Sequence, residues 1–247
     1  KAYKRGDLEK ATEYYLKAVK YDNQFYLAFY QLGVLEKKMG NSDQAISYLN
    51  QAVFIKPDFH KAWFTLGTSY EADSNLDSAI VKYNKAIELN PGYTKAYSNL
   101  GNIYTAKEDY PSAKDVLLTA IQIDPTYADA YLRLGVVYSS QELFNEASEQ
   151  FKKSTEYDKK NFDAWFRYAS ALNSVKNYKE ASIAAQECID IKNKFGGGWY
   201  EKGVAEFKSG KKTRALKYFD EANKDRDWRK LAQRKIDEIN NPTKYEK

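Results

Sequence analysis

The feature that most constrains this chain is a 34-residue repeat that runs through it without insertion. The blocks His60–Tyr93, Thr94–Tyr127, Ala128–Asn161 and Phe162–Phe195 align end to end. Their fourth residues are Trp63, Tyr97, Tyr131 and Trp165, continued by Trp199 in the next block. Their eighth residues are Gly67, Gly101, Gly135 and Ala169, then Gly203, and their twentieth are Ala79, Ala113, Ala147 and Ala181, then Ala215. The register runs back through Tyr26–Phe59, with Phe29, Gly33, Ala45, Ala52 and Pro57, to a truncated copy marked by Gly6, Ala11, Tyr15 and Ala18. A unit this short cannot bury its own apolar side, so successive copies must stack on one another to build a core.

Within each block the apolar spacing is helical. Trp63, Leu66, Gly67 and Tyr70 fall at i, i+3, i+4 and i+7, one face of a first helix; Ala79, Tyr83, Ala86 and Ile87 mark one face of a second. A polar or glycine-bearing turn separates the two, as at 40–43, Ser74-Asn75 and 210–213. Pro111 opens a second helix, where its missing N–H costs nothing, and Pro57, Pro91 and Pro125 follow second helices that must stop. Two helices joined by so short a turn approach closely only through small side chains. The glycine at position 8 and the alanine at position 20 are expected to meet that need, so enlarging Ala113 or Ala147 should overpack the contact.

The pattern Trp63-Leu66-Gly67-Tyr70-Ala79-Tyr83-Ala86-Pro91 resembles the tetratricopeptide repeat (TPR). The resemblance covers about six full copies and the tail of another. It implies an all-α, right-handed superhelical solenoid of antiparallel helix pairs. The expected units are a partial repeat over 1–25, mainly its second helix, then repeats at 26–59, 60–93, 94–127, 128–161, 162–195 and 196–226. An amphipathic capping helix is expected over 227–240, with Trp228, Leu231, Ile236 and Ile239 on its apolar side, and a tail over 241–247. Departures from the family pattern are Glu36 and Glu206 at position 11, and Ser154 and Cys188 at position 27. Lys159, Asn193 and Asp227 replace the closing proline, and such changes are expected to loosen individual interfaces.

By the same resemblance, positions 2, 5, 6, 9, 12 and 13 of the first helices line a concave groove. These positions lie outside the packing signature, so their chemistry is free to report function. The candidate binding residues are Tyr30, Gln31, Phe64, Thr65, Asn99, Asn102, Arg133, Phe166, Arg167, Asn173 and Tyr200. Aromatics at position 5 could take apolar side chains of a ligand, or pack between hairpins. The amides of Gln31, Asn99, Asn102 and Asn173 could pair with an extended backbone. Arg133 and Arg167 could fork onto carboxylates, or pair with Asp129 and Asp163. The groove positions carry Lys37, Lys38, Lys61, Lys95, Arg133, Arg167 and Lys208 against Glu71, Asp129, Asp163 and Glu201, a surplus that favours a ligand with some acidic character. A chaperone-type carboxylate clamp is incomplete, because Ser98, Arg133 and Asp163 stand where that clamp needs Lys, Asn and Lys.

Little in the sequence builds a reaction centre. His60 is the only histidine and is expected in a solvated or capping role; Cys188, the only cysteine, is expected to pack in a helix interface. There is no His/Cys cluster with metal spacing and no phosphate loop after a strand, so no catalytic residue, cofactor or metal is expected. Gly196-Gly-Gly198 reads as a hinge or tight turn at a block junction. The 39 basic and 34 acidic residues are dispersed, which argues against nucleic acid as partner, although Arg226, Arg229, Lys230, Arg234 and Lys235 form the densest basic stretch. That stretch reads as a solvated cap. No apolar run approaches the roughly 18 residues of a membrane span.

The expected function is therefore a protein-interaction scaffold, not an enzyme, that binds a peptide or protein segment in the groove. Two rivals are a self-assembling scaffold and a substrate-recruiting arm of a larger enzyme. The chain opens at Lys1 without a methionine, within a helical pattern, and is expected to be a piece of a longer protein. The compartment is left open.

Overall fold

A computed structural model describes the backbone of residues 5–244 and the side chains of residues 7–244. Gly6 of the partial copy, the residues before Arg5 and the end of the predicted 241–247 tail lie outside the described side chains. Among the described residues every regular element is helical: α1 (Arg5–Tyr21), α2 (Tyr26–Met39), α3 (Ser42–Ile55), α4 (His60–Ala72), α5 (Leu76–Leu89), α6 (Thr94–Ala106), α7 (Tyr110–Ile123), α8 (Ala128–Ser140), α9 (Phe144–Tyr157), α10 (Phe162–Ser174), α11 (Tyr178–Ile191), α12 (Gly196–Lys208), α13 (Lys212–Asn223) and α14 (Arg229–Asn240), then a short 3-10 turn at Pro242–Lys244. The chain divides into two compact units, Lys1–Asp109 and Tyr110–Lys247. The first holds α1–α6 and the second α7–α14.

In each unit the dominant packing is within a pair, α2 on α3 and α4 on α5 in the first, α8 on α9, α10 on α11 and α12 on α13 in the second. Each second helix then packs on the first helix of the following pair. The position-20 alanines Ala45, Ala79, Ala113, Ala147, Ala181 and Ala215 are all fully buried. The glycine at position 8 has a different close partner from the one expected. A methyl group on Gly67 would lie 2.5 Å from the Tyr83 ring, one on Gly135 2.6 Å from the Phe151 ring, and one on Gly203 2.7 Å from the Phe219 ring. The residue that needs the glycine is thus at position 24, and it is large. Where position 8 is Ala169, position 24 is Ala185, and both lie in one buried cluster. The pair conserves volume, as close packing requires.

The turn inside each pair has a regularity that composition does not reveal. Its position-15 residue takes a left-handed backbone in six copies: Gly40, Ser74, Glu108, Glu142, Lys176 and Gly210, with φ between 59° and 86°. The N–H groups of residues 15 and 16 turn back onto the helix end, as in Ser74 to the Glu71 carbonyl at 3.0 Å and Asn75 to the Tyr70 carbonyl at 2.9 Å. Only two of the six are glycine.

A second recurring bond ties each first helix to the loop before it. The indole N–H of Trp63 donates to the Pro57 carbonyl at 2.7 Å, that of Trp165 to the Lys159 carbonyl at 3.0 Å, and that of Trp199 to the Asn193 carbonyl at 2.8 Å. Tyr131 does the same through its hydroxyl, to Pro125 at 3.1 Å. The acceptor is a main-chain oxygen, so replacing the closing proline by Lys159 or Asn193 leaves this bond in place.

Three further expectations are corrected. Gly196–Gly198 is neither a hinge nor a tight turn: it is the buried first turn of α12, whose N-terminus is capped by Asp225, which accepts the Gly196 N–H at 2.7 Å. Side chains there would collide with Trp228 and Phe195. The terminal helix starts at Arg229, not 227, and buries Ala232 and Ile239, while Leu231 is left exposed. Trp228 precedes it and sits edge-on to Phe166 and Phe195. His60 is not a cap, since the capping position of α4 is Phe59. It is half-buried, 3.3 Å from the Asn90 amide and edge-on to Tyr93, and burial lowers its pKa.

Candidate functional site

The predicted binding residues all lie on first helices, and the two units hold separate sets. Tyr30 and Gln31 are on α2, Phe64 and Thr65 on α4, and Asn99 and Asn102 on α6, in the first unit. Arg133 is on α8, Phe166, Arg167 and Asn173 on α10, and Tyr200 on α12, in the second. First helices of neighbouring pairs touch, α2 with α4 and α10 with α12. Side chains stitch them together. Lys37 at position 12 donates to the Thr68 hydroxyl at position 9 of the next copy, and Asn102 at position 9 donates to Glu71 at position 12 of the copy before, at 3.2 Å. Each unit therefore presents a face of half-exposed polar and aromatic groups.

The position-5 aromatics are half-buried; three pack on the aromatic that closes their own block, and Tyr200 packs on Trp228 beyond its block. Tyr30 lies 5.0 Å from Phe59, Phe64 5.0 Å from Tyr93 and Phe166 5.3 Å from Phe195, all edge to face. Tyr200 lies 5.3 Å from Trp228. These geometries suit the ring quadrupole and add to the buried area. Of the two uses foreseen for these rings, packing between hairpins is the one the structure displays.

The amides are engaged as well. Asn99 donates to the Tyr83 hydroxyl at 3.1 Å, and that hydroxyl donates to Glu71 at 2.6 Å. Asn173 donates both to the main-chain oxygen of Glu201 at 3.0 Å and to its carboxylate at 2.8 Å. Thr65 turns its hydroxyl to the Lys61 carbonyl at 2.8 Å. Gln31 lines a cleft of about 180 Å³ between α1 and α2, with Tyr15, Val34 and Lys38.

Electrostatically the two faces differ. Arg133 and Arg167 each donate through Nε to an aspartate one turn earlier, Asp129 and Asp163, at 2.8 Å in both cases. Half-exposed pairs of this i, i+4 kind contribute only about 0.3–0.5 kcal/mol to stability, yet they neutralise the charge a ligand would meet. Lys61 and Lys95 of the first unit are exposed. Burial lowers the pKa of Lys37, with Glu71 opposing the shift.

The sequence places Glu201 among the groove charges, and the structure gives it another role. Its side chain is buried, and burial outweighs the bonds from Asn173 and Ser170 to push its pKa up to about 7. No sequence signal separates it from an exposed helical glutamate. Its burial follows from Gly196–Gly198 drawing α12 against its neighbours.

Chemically these faces offer paired hydrogen-bond donors and acceptors. Cys188 is fully buried, and burial, with Asp163 nearby, pushes its thiol up to about 12. Among the described residues no group of three or more His, Cys, Asp or Glu is placed to hold a metal ion. None of the described helices is long and apolar enough to cross a membrane.

Comparison with known proteins now fits this geometry. A family model described as tetratricopeptide repeat matches residues 2–25, 26–59, 128–161 and 162–195, and one described as TPR repeat matches 72–107 and 101–142. No curated protein sequence matches significantly. Among solved structures, YrrB, a TPR protein with an unusual peptide-binding site, is similar over 75% of this chain and 96% of its own, at 22% identity and a TM-score of 0.62. MamA is 29% identical over 63% of this chain and 91% of its own, with a TM-score of 0.58. A tetratricopeptide repeat protein from Parabacteroides merdae is 15% identical over 96% of this chain and 93% of its own, with a TM-score of 0.68. Repeats of this kind are in general non-catalytic protein-interaction modules. With matched blocks, paired helices and these neighbours in agreement, the chain belongs to the tetratricopeptide repeat family.

Proposed function

We propose that the chain is a protein-interaction scaffold whose first-helix faces bind an extended segment of a partner. The observation that carries the reading is the side-by-side placement of first helices within each unit, with the candidate residues half-exposed along them. The polar stitches Lys37–Thr68 and Asn102–Glu71 hold these side chains in fixed positions before any ligand arrives. Groups fixed in advance lose less conformational entropy on binding. YrrB, a TPR protein with an unusual peptide-binding site, has the same fold and supports the reading by analogy.

The preference for acidic character belongs to the first unit. Its face carries exposed Lys61 and Lys95, whereas Arg133 and Arg167 of the second unit are satisfied by Asp129 and Asp163. An acidic segment on the first unit meets charge that is not already neutralised.

The test is selection of peptides from a displayed random library, followed by affinity measurement. Replacing Asn99 and Asn102 by Ala, or Arg133 and Arg167 by Ala, should weaken the selected peptides by at least about tenfold for one of the two faces, since each variant removes several bonds of roughly 1 kcal/mol. Thermal melting should hardly move in the Arg133/Arg167 variant and should fall by a few degrees in the Asn99/Asn102 variant, which also loses the bonds to Tyr83 and Glu71. Selected peptides that bind both variants as well as the parent would place binding elsewhere and remove the basis of this reading.

A further inference from the structure

A second charged surface lies at the end of the second unit. The close of α13 and the exposed side of α14 frame an open cleft of about 590 Å³ lined by Arg226, Arg229, Lys230 and Arg234, with Gln233 and Asp237. In the sequence, acidic residues alternate with these cations and suggest a neutral, solvated cap. The fold separates them. Asp225 turns away to cap α12 through the Gly196 N–H, and Glu238 pairs with Lys235 at 2.7 Å. Asp237, the carboxylate that lines the cleft, already accepts from Gln233 at 3.2 Å. Arg226 has only its neighbour Asp227, at 3.6 Å and with both side chains almost fully exposed, a pair of little strength.

The position of two of these cations is unfavourable in the free protein. Arg229 and Lys230 stand in the first turn of α14, which contains no acidic residue. That end of a helix carries the positive pole of the backbone dipole, where cations are disfavoured and anions favoured. An anionic group in the cleft would relieve both the dipole and the mutual repulsion of the cations.

We propose that this cleft, whose lining includes none of the candidate residues above, docks an acidic segment of a protein partner, with Glu or Asp side chains forked by the arginines. A peptide fits better than a polynucleotide. The positive charge is confined to one cleft, with Asp220 and Glu221 just before it in the chain and Asp227 within the run, whereas a nucleic-acid backbone needs an extended stripe. Asp237 also offers an acceptor that a peptide N–H can meet and a phosphodiester cannot.

The test uses a fluorescein-labelled heptaglutamate peptide and the whole chain, read by fluorescence anisotropy at low and moderate salt. The informative variant is Arg226→Gln/Lys230→Gln/Arg234→Gln. Arg229 is kept because its Nε donates to the Asn223 carbonyl at 3.2 Å, a bond within the fold. Loss of affinity by about tenfold or more is expected, with unchanged melting and a shallower salt dependence. The charge-keeping variant Arg226→Lys/Lys230→Arg/Arg234→Lys should retain most of the binding. A Lys61→Gln/Lys95→Gln variant on the first unit should change the affinity less than about twofold. The proposal is overturned if the parent chain does not bind heptaglutamate, or if the cleft variant binds it as the parent does. A loss confined to the Lys61/Lys95 variant overturns it too, while leaving the function proposed above intact. Tighter binding of an oligouridylate of equal charge, or of phosphatidylserine vesicles, through the same three residues would assign the cleft to another class of partner.

Discussion

Gly135 and Phe151 offer the sharpest test of how a repeat packs. A methyl group added at Gly135 would lie 2.6 Å from two atoms of the Phe151 ring and 3.0 Å from a third. The ring is 1% exposed and packed within a buried cluster. Overpacking of this kind costs about 1–3 kcal/mol, and the tightness of the contact puts it in the upper half of that range. Against it stands a gain of roughly 1 kcal/mol, because alanine is the better helix former. Gly135→Ala should therefore destabilise by about 1–2 kcal/mol, a fall in melting temperature of roughly 3–6 °C for a chain of this size. Phe151→Ala alone should cost about 3–5 kcal/mol for the cavity it leaves. The double variant reproduces the natural Ala169/Ala185 pair of a neighbouring copy, so the added methyl finds room and only its helix-forming benefit remains. The cycle should show a favourable coupling of about 2 kcal/mol. The assay is urea unfolding followed by circular dichroism and tryptophan fluorescence, with coincident transitions licensing the free energies. Additivity of the two substitutions within about 0.5 kcal/mol would refute the idea that positions 8 and 24 trade volume.

Two further outcomes follow from single side chains. The folded-state pKa of Glu201, about 7, lies above the ordinary 4.5, so the folded chain holds a proton that the unfolded chain has released, and stability falls as pH rises between those values. Glu201→Gln keeps an acceptor for Asn173 without the charge; it should gain on the parent by roughly 3 kcal/mol at pH 8, with no gain at pH 4, and equal pH profiles in urea unfolding would count against the buried carboxylate. Glu142 holds a left-handed backbone at φ 60°, which costs an ordinary residue about 1 kcal/mol or more. Glu142→Gly should raise the urea midpoint, as the glycines at the equivalent positions 40 and 210 suggest, and a lowered midpoint would mean that the turn carries no such strain.

The helical pairs and their boundaries were legible in the sequence because the signal is repeated. One alanine among apolar neighbours says little, but Ala79, Ala113, Ala147, Ala181 and Ala215 in phase leave one solution, since each copy can bury its apolar side only against the next. The turns were legible in two places, Gly40 and Gly210, and hidden in four, because Ser74, Glu108, Glu142 and Lys176 adopt the same backbone without the residue that announces it. What tertiary structure alone decided was the company each polar group keeps. The sequence left Arg133 and Arg167 two uses, a ligand's carboxylate or the aspartate one turn earlier, and the fold pairs them with Asp129 and Asp163. Glu201 looked like an exposed groove charge until the fold buried it, and the cleft cations looked neutralised until Asp225 was found capping α12 and Glu238 paired with Lys235. Periodicity is a property of the chain and survives in one dimension, whereas burial and pairing depend on distances that only the folded chain sets.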